Sequence, residues 1–237
     1  MQAGTRVITL DAEPEPIRID LGRCAVLVVD MQNDFGARGG MFDRAGIDIA
    51  PIERVVEPTA RVLEAARSAG LPVVYLKMEH AADLGDTGGA GSPHSIKHGR
   101  LGVGKEVPAP DGRASRVLVK GTWNTEILPR LAPCEGDAVV SKHRFSGFFQ
   151  TDLDKVLKER GVTHLVVTGC TTSVCVESTV RDAMFRDYHC VVLADCTAEP
   201  IGDDLPRTNH DASLLTIKLL FGWVSDAGRL LAALNGR

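Results

Sequence analysis

The chain is predicted to be an α/β protein, a three-layer α/β/α sandwich built on a six-stranded parallel sheet. Two observations carry that expectation. Short Val-rich runs recur without alternation of apolar and polar residues, so each strand has both faces buried, as inside a parallel sheet. Helical patterns separate the runs, and right-handed crossovers between parallel neighbours place those helices on both sides of the sheet.

The first strand is predicted at 24–30 (CAVLVVD) and ends in Asp30. Residues 52–69 follow as a helix, with Val55, Val56, Ala60, Leu63 and Ala66 at helical spacing. The second strand, 72–77 (PVVYLK), leads into a segment that breaks the rhythm. Residues 79–115 are rich in Gly, Pro, His and Ser, with GDTGGAGSPHSIKHGR at the centre. A loop this long within one domain is usually functional or disordered, and it is predicted to cover substrate or to contact another copy of the chain, with simple disorder as the alternative. The third strand, 138–142 (AVVSK), ends in Lys142. A helix at 151–160 opens on Thr-Asp-Leu-Asp, a capping pattern, and stops at Gly161. The fourth strand, 164–169 (HLVVTG), turns through CTTSVC into a helix at 173–187 whose stripe is Val176, Val180, Ala183 and Met184. The fifth strand is 190–195 (CVVLAD), a sixth is 222–225 (GWVS), and helices at 209–221 and 225–235 close the chain.

Composition excludes several classes. The net charge is −4 with the signs interspersed, so no basic surface for nucleic acid is expected. The start, MQAGTRVITLDAEPEPIRIDLG, is acidic and lacks the apolar core of a signal peptide. No apolar run approaches the roughly 20 residues of a membrane helix. A cytoplasmic protein without membrane contact is expected. The six cysteines form no C-x-x-C pair, and most are expected to be reduced core residues.

Ligands of a doubly wound sheet bind beyond the carboxyl ends of its strands. Asp30, Lys142 and Cys175 all stand there, Cys175 in the first turn of the helix after the fourth strand. Each has an ordinary reading, as turn residue, solvated strand end or core thiol, and their coincidence is what points to chemistry. Backbone amides and the partial positive charge of a helix N-terminus favour a thiolate, so the thiol pKa is expected to fall below its free value. The same amides can hold a developing oxyanion. With Lys142 adding positive charge and Asp30 accepting the thiol proton, the set suits acyl transfer.

VVDMQNDF, the lysine after the third strand, and TGCTTSVCVESTVRDA resemble the isochorismatase-like cysteine hydrolases, over about residues 24–225. The pattern Gly169, Thr172, Cys175, Val176 at a strand-to-helix turn is the specific part. The resemblance implies a triad of Asp30, Lys142 and Cys175, and a cis peptide at Cys170–Thr171 that turns the Thr171 N–H, with that of Cys175, toward the oxyanion. It implies the strand order 3-2-1-4-5-6, and residues 21–237 as one cysteine hydrolase domain behind an extension at 1–20. Nicotinamidases of this family carry a metal-binding D-x-H after the second strand. Here that stretch reads YLKMEHAADL. Glu79, His80, His94 and His98 match no metal site in their spacing, so neither metal nor cofactor is expected.

Within the family the chain resembles the ureidoacrylate amidohydrolases, with the biuret and triuret hydrolases as near relatives. GGMFDRAGID, the GSP turn at 91–93, KGTWN, RFSGFFQTDLD, CVESTVRDA and FGWVSDA carry that likeness. Met78 and His80 stand where those enzymes have Asn and Trp, and His94 where they have Asn, so the substrate wall is altered. The implied activity is hydrolysis of a C–N bond in a small ureide by a homo-oligomer, dimer or tetramer. Phe35, His80, Ser92, His94, Phe145 and Phe148 are the candidate pocket residues. A nicotinamidase, a maleamate amidohydrolase and a non-catalytic binding protein on this fold are the alternatives.

Overall fold

The apolar runs assemble into one six-stranded sheet in which every pairing is parallel. The computed structural model describes residues 6–236. An antiparallel hairpin of β1 (Val7–Leu10) and β2 (Ile17–Asp20) comes first, followed by β3 (Cys24–Val29). Two single-turn helices, α1 (Asn33–Gly36) and α2 (Met41–Arg44), precede the long α3 (Ala50–Ser68) and β4 (Val73–Met78). Then come α4 (Pro93–Arg100), a small hairpin of β5 (Glu106–Pro108) and β6 (Ala114–Arg116), and β7 (Ala138–Lys142). The chain continues through α5 (Leu153–Glu159), β8 (His164–Cys170), α6 (Glu177–Met184) and β9 (His189–Ala198). It ends in α7 (Asn209–Leu220), β10 (Trp223–Ser225) and α8 (Ala227–Leu234).

The sheet order is β10-β9-β8-β3-β4-β7. Counting only the strands of this sheet, that is 3-2-1-4-5-6 read from the β7 edge, as the resemblance implies. The central strand β3 is buried throughout and divides its side chains between two cores. Cys24, Val26 and Val28 join the face covered by α3, α8 and the N-terminal hairpin, whereas Ala25, Leu27 and Val29 join the face covered by α5, α6 and α7. That division is why the run does not alternate.

The structure departs from the sequence reading in four places. Strand β7 is an edge strand, so its outward Val139 is 48% exposed and only one side is covered by a neighbour. Segment 79–115 is not loop throughout, because α4 and the β5–β6 hairpin lie within it. Ser92 caps α4 by accepting from the Ser95 amide, and Pro93 occupies the first turn, both ordinary start signals. Thr151 accepts from the Leu153 amide at 3.2 Å, while α5 itself begins after Asp152, whose side chain makes no cap bond. Finally, residues 7–20 are packed structure: Leu10, Ile17 and Ile19 sit in the first core, and Glu13 pairs with Val224 beside the sheet edge.

Candidate active site

Four adjacent strand ends meet at one edge of the sheet. Asp30 follows β3 directly, in a left-handed backbone conformation (φ 50°), and its amide donates to the Leu76 carbonyl. Gln32 then clamps β3 to β4, accepting from the Met78 amide at 2.7 Å and donating to the Met78 carbonyl at 3.0 Å. Lys142 is the last residue of β7, paired in register with Met78. Strand β7 lies two places from β3, or about 9.6 Å at ordinary spacing, a gap that only a long side chain bridges. Lys142 does so, passing Met78 Sδ at 3.6 Å to reach Asp30 Oδ2 at 2.7 Å and Cys175 Sγ at 3.4 Å. The side chains of both Asp30 and Lys142 are 0% exposed.

Cys175 is delivered by the end of β8. At Gly169 (φ 113°) a Cβ would stand 2.0 Å from the Val29 carbonyl oxygen, so only glycine lets β8 approach β3 so closely. The Cys170–Thr171 peptide is cis. The turn that follows, Thr172–Val176, is π-helical and not the first turn of an α-helix as expected. Its wide loop is anchored from outside. Glu199 accepts from the Ser173 amide at 3.0 Å and from its hydroxyl at 2.5 Å, and Thr172 pairs with His210 at 2.9 Å. Single π turns of this kind often re-aim a side chain at functional sites.

The electrostatics correct one expectation. Burial pushes the Cys175 thiol well up, by more than the Lys142 ammonium lowers it. Cys175 therefore rests as a thiol. Burial also raises Asp30 above the ordinary carboxylate range despite the attraction of Lys142, making it a stronger base. Burial disfavours the Lys142 ammonium, but the attraction of the Asp30 carboxylate beside it, with hydrogen bonds to Asp30 and Cys175, outweighs this and holds the proton on Lys142.

Cys175 and Thr171 open onto a pocket of about 150 Å³ whose other lining residues include Phe35, Phe42, Met78, His98 and Phe145. Its walls are almost wholly apolar. Of the candidate pocket residues, Phe35 and Phe145 line this cavity and His94 borders the adjoining surface groove. Two belong elsewhere: Ser92 is the cap of α4, and Phe148 is packed in the second core beside Tyr188, with Arg186 over its ring. Met41, Phe42, Lys97, Leu101, Leu118, Val174 and Ile201 complete the lining and were not foreseen. Met41 and Phe42 lie in GGMFDRAGID, Lys97 in GDTGGAGSPHSIKHGR and Val174 in CTTSVC, segments already singled out; Leu101, Leu118 and Ile201 carry no sequence signal.

Asp34 holds several of these walls together. Its buried carboxylate accepts from the Met41 amide at 2.8 Å, the Leu118 amide at 2.6 Å and the Asn124 side chain. Burial raises its pKa to about 6 against these three donors. Asp34→Ala should cost at least about 3 kcal/mol, because each of the three buried donors left without an acceptor costs about 1–3. Urea unfolding measures this, and a loss below about 1 kcal/mol would show that the bridge is dispensable.

His80 is fully buried, two residues past β4, and α4 brings His94 and His98 against it. Burial lowers all three imidazoles, His94 to about 4 and His98 to about 3, so they are neutral at neutral pH. His80 Nδ1 meets Asp86 Oδ1 at 2.9 Å.

A doubly wound parallel sheet with a buried thiol, carboxylate and ammonium gathered at its carboxyl edge defines a class of α/β proteins with a cysteine-centred site. The chain belongs to the isochorismatase family: the isochorismatase domain matches residues 24–228. It is 41% identical over 228 residues to the ureidoacrylate amidohydrolase RutB of Methylorubrum extorquens, covering 96% of this chain and 89% of that one. To the protein of the same name from Klebsiella pneumoniae it is 38% identical over 229 residues, covering 97% and 94%. Among solved structures, a cysteine hydrolase from Pseudomonas syringae pv. phaseolicola superposes with a TM-score of 0.77 at 28% identity, over 99% of both chains. The N-carbamoylsarcosine amidase of Thermoplasma acidophilum superposes at 0.63 with 26% identity, over 86% of this chain and 96% of that one.

Proposed function

We propose that the protein is a cysteine amidohydrolase that cleaves a C–N bond of a small planar ureide, of the ureidoacrylate, biuret or triuret type, through a covalent acyl-enzyme. One observation carries this reading. The Cys175 thiol lines an apolar pocket and lies 3.4 Å from Lys142, which is itself paired with Asp30 at 2.7 Å. Asp30, Lys142 and Cys175 then act as a catalytic triad.

Asp30 takes the thiol proton as substrate binds, and the Sγ electron pair forms a bond to the carbamoyl carbon. The displaced carbonyl electrons settle on oxygen, where the Thr171 and Cys175 amides form the oxyanion hole. Asp30 returns the proton to the nitrogen as the C–N bond breaks. Water, deprotonated by Asp30, then opens the thioester or thiocarbamate and restores the thiol. Lys142 stays charged throughout and offsets the negative charge shared by Asp30 and Sγ. Because the resting thiol is protonated, this transfer is needed on every turnover, and a base stronger than an ordinary carboxylate suits it. The cavity holds the volume of about five waters, which limits substrate to a small molecule.

The ureide assignment is supported by the names of the curated relatives, at 38–41% identity over nearly the whole chain. It is tested by ammonia release from ureidoacrylate, biuret, triuret, maleamate and nicotinamide. A ureide should exceed nicotinamide by about a hundredfold or more in kcat/KM, about 2.7 kcal/mol of differential transition-state binding. Nicotinamide as the best substrate would sink the ureide reading and leave the triad standing.

Two further parts of the reading concern setting. Six free cysteines, five of them buried, suit a reducing compartment, and we place the enzyme in the cytoplasm. Among the described residues no helix is long and apolar enough to cross a membrane. Phe185, Leu219 and Leu220 are 66%, 64% and 67% exposed, apolar surface that a dimer or tetramer would cover.

A further inference from the structure

We propose that His80, His94 and His98 form a binding site for a single zinc-class divalent ion, on the wall of the cavity that holds Cys175. The expectation of no metal rested on spacing along the chain. Folding changes the picture, because α4 presents His94 and His98 four residues apart on one face, beside the buried His80 that follows β4. One ring nitrogen from each of the three lies within 4.8 Å of the others. Tetrahedral ligation at roughly 2.0–2.1 Å puts donor nitrogens about 3.3 Å apart, so modest side-chain movement closes the set.

Three features point to a ligand. His80 Nε2, His94 Nε2 and His98 Nδ1 are all buried without a hydrogen-bond partner, and His80 and His98 are 0% and 5% exposed. Buried polar atoms without partners are costly and uncommon, and three from one cluster call for an explanation. Next, Asp86 accepts from His80 at Nδ1, which leaves the Nε2 lone pair free to ligate. A carboxylate behind a histidine is the arrangement that orients a metal ligand and raises its basicity. Asp86 is in turn held by the Ala81 amide at 2.9 Å, and its carbonyl accepts from Arg144. Lastly, an all-imidazole set suits zinc, copper, nickel or iron, and three protein ligands leave a coordination position open.

Lys142 and Arg144 are the nearby cations and weaken the site, whereas the Asp86 carboxylate offsets them. His98 belongs both to the cluster and to the cavity lining, so the ion borders the space where substrate binds. Its open position is then available to a water or to an oxygen of the substrate. None of the triad residues is a ligand, and the metal site stands or falls separately from the ureide reading.

The test uses the full chain, freed of metal by chelator and dialysis, then titrated with Zn²⁺ or Co²⁺ by calorimetry and by metal analysis. The parent should bind about one ion per chain, with Co²⁺ giving the visible absorption of nitrogen ligation. His94→Gln, at a part-exposed position, should weaken binding at least about a hundredfold, and Asp86→Asn by about tenfold to a hundredfold. Circular dichroism confirms that each variant is folded, and a variant that fails to fold is replaced by His98→Gln. Less than about a tenth of an ion per chain, or affinity unchanged in both His94→Gln and Asp86→Asn, would overturn the proposal.

Discussion

Cys175→Ala and Cys175→Ser should each lower kcat by at least about 10⁴-fold while the protein stays folded. Among the described residues, Cys175 is the only thiol that lines the cavity, and Thr171 contributes the only hydroxyl there. A serine hydroxyl in the same place is far harder to deprotonate, and Asp30 cannot make it a comparable nucleophile. Neither change threatens the fold much. The residue borders a cavity and is 6% exposed, and the atoms lost or exchanged amount to about one methylene, roughly 1 kcal/mol of burial. Ammonia release together with circular dichroism reads both halves. Turnover within about tenfold of the parent by either variant would remove Cys175 from the mechanism.

The second large effect falls on stability. Lys142→Met keeps most of the volume but strands the Asp30 carboxylate, fully buried, without its counter-charge. Removing one member of a buried ion pair costs about 3–5 kcal/mol, because the other charge stays out of water. Asp30 already lies above the ordinary carboxylate range through burial, and losing Lys142 raises it further. A carboxyl raised on folding binds its proton more tightly in the folded state, so the variant gains most at acid pH and loses stability as pH rises. The deficit should therefore be largest near neutrality and shrink toward about pH 4. Lys142→Met combined with Asp30→Asn should recover most of the loss. A Lys142→Met deficit below about 1 kcal/mol at pH 7, or one that does not depend on pH, would contradict the pairing.

The parts of this architecture that depend on local pattern were legible from the chain. Val-rich runs such as CAVLVVD demand burial on both faces, and the placement of Asp30, Lys142 and Cys175 follows from strands that end at one edge. What depends on neighbours was not. Val139 reads like any core valine, and only the sheet order reveals that β7 has one open side. The π turn at Thr172–Val176 is held by Glu199 and His210, residues far along the chain, so nothing within CTTSVC announces it. The thiol pKa was misjudged for the same reason. Helix-terminus and lysine effects are visible in sequence, whereas the desolvation that exceeds them is a property of the packed cavity. Likewise Phe148, in RFSGFFQ, looked like an aromatic available to substrate, and its packing against Tyr188 assigns it to the core. The histidine cluster was hidden because the four-residue spacing of His94 and His98 has meaning only on a helix. Ser92-Pro93 was the available sign that one begins there.

The covalent intermediate is the most direct test of the central claim. Rapid acid quench of the enzyme with its best ureide, followed by intact-mass and peptide mass spectrometry, should find an acyl or carbamoyl adduct on the peptide carrying Cys175. That adduct should be absent from Cys175→Ser and should decay at the rate of turnover. Undiminished turnover with no adduct at any quench time, or an adduct confined to another cysteine, would contradict a mechanism centred on Cys175.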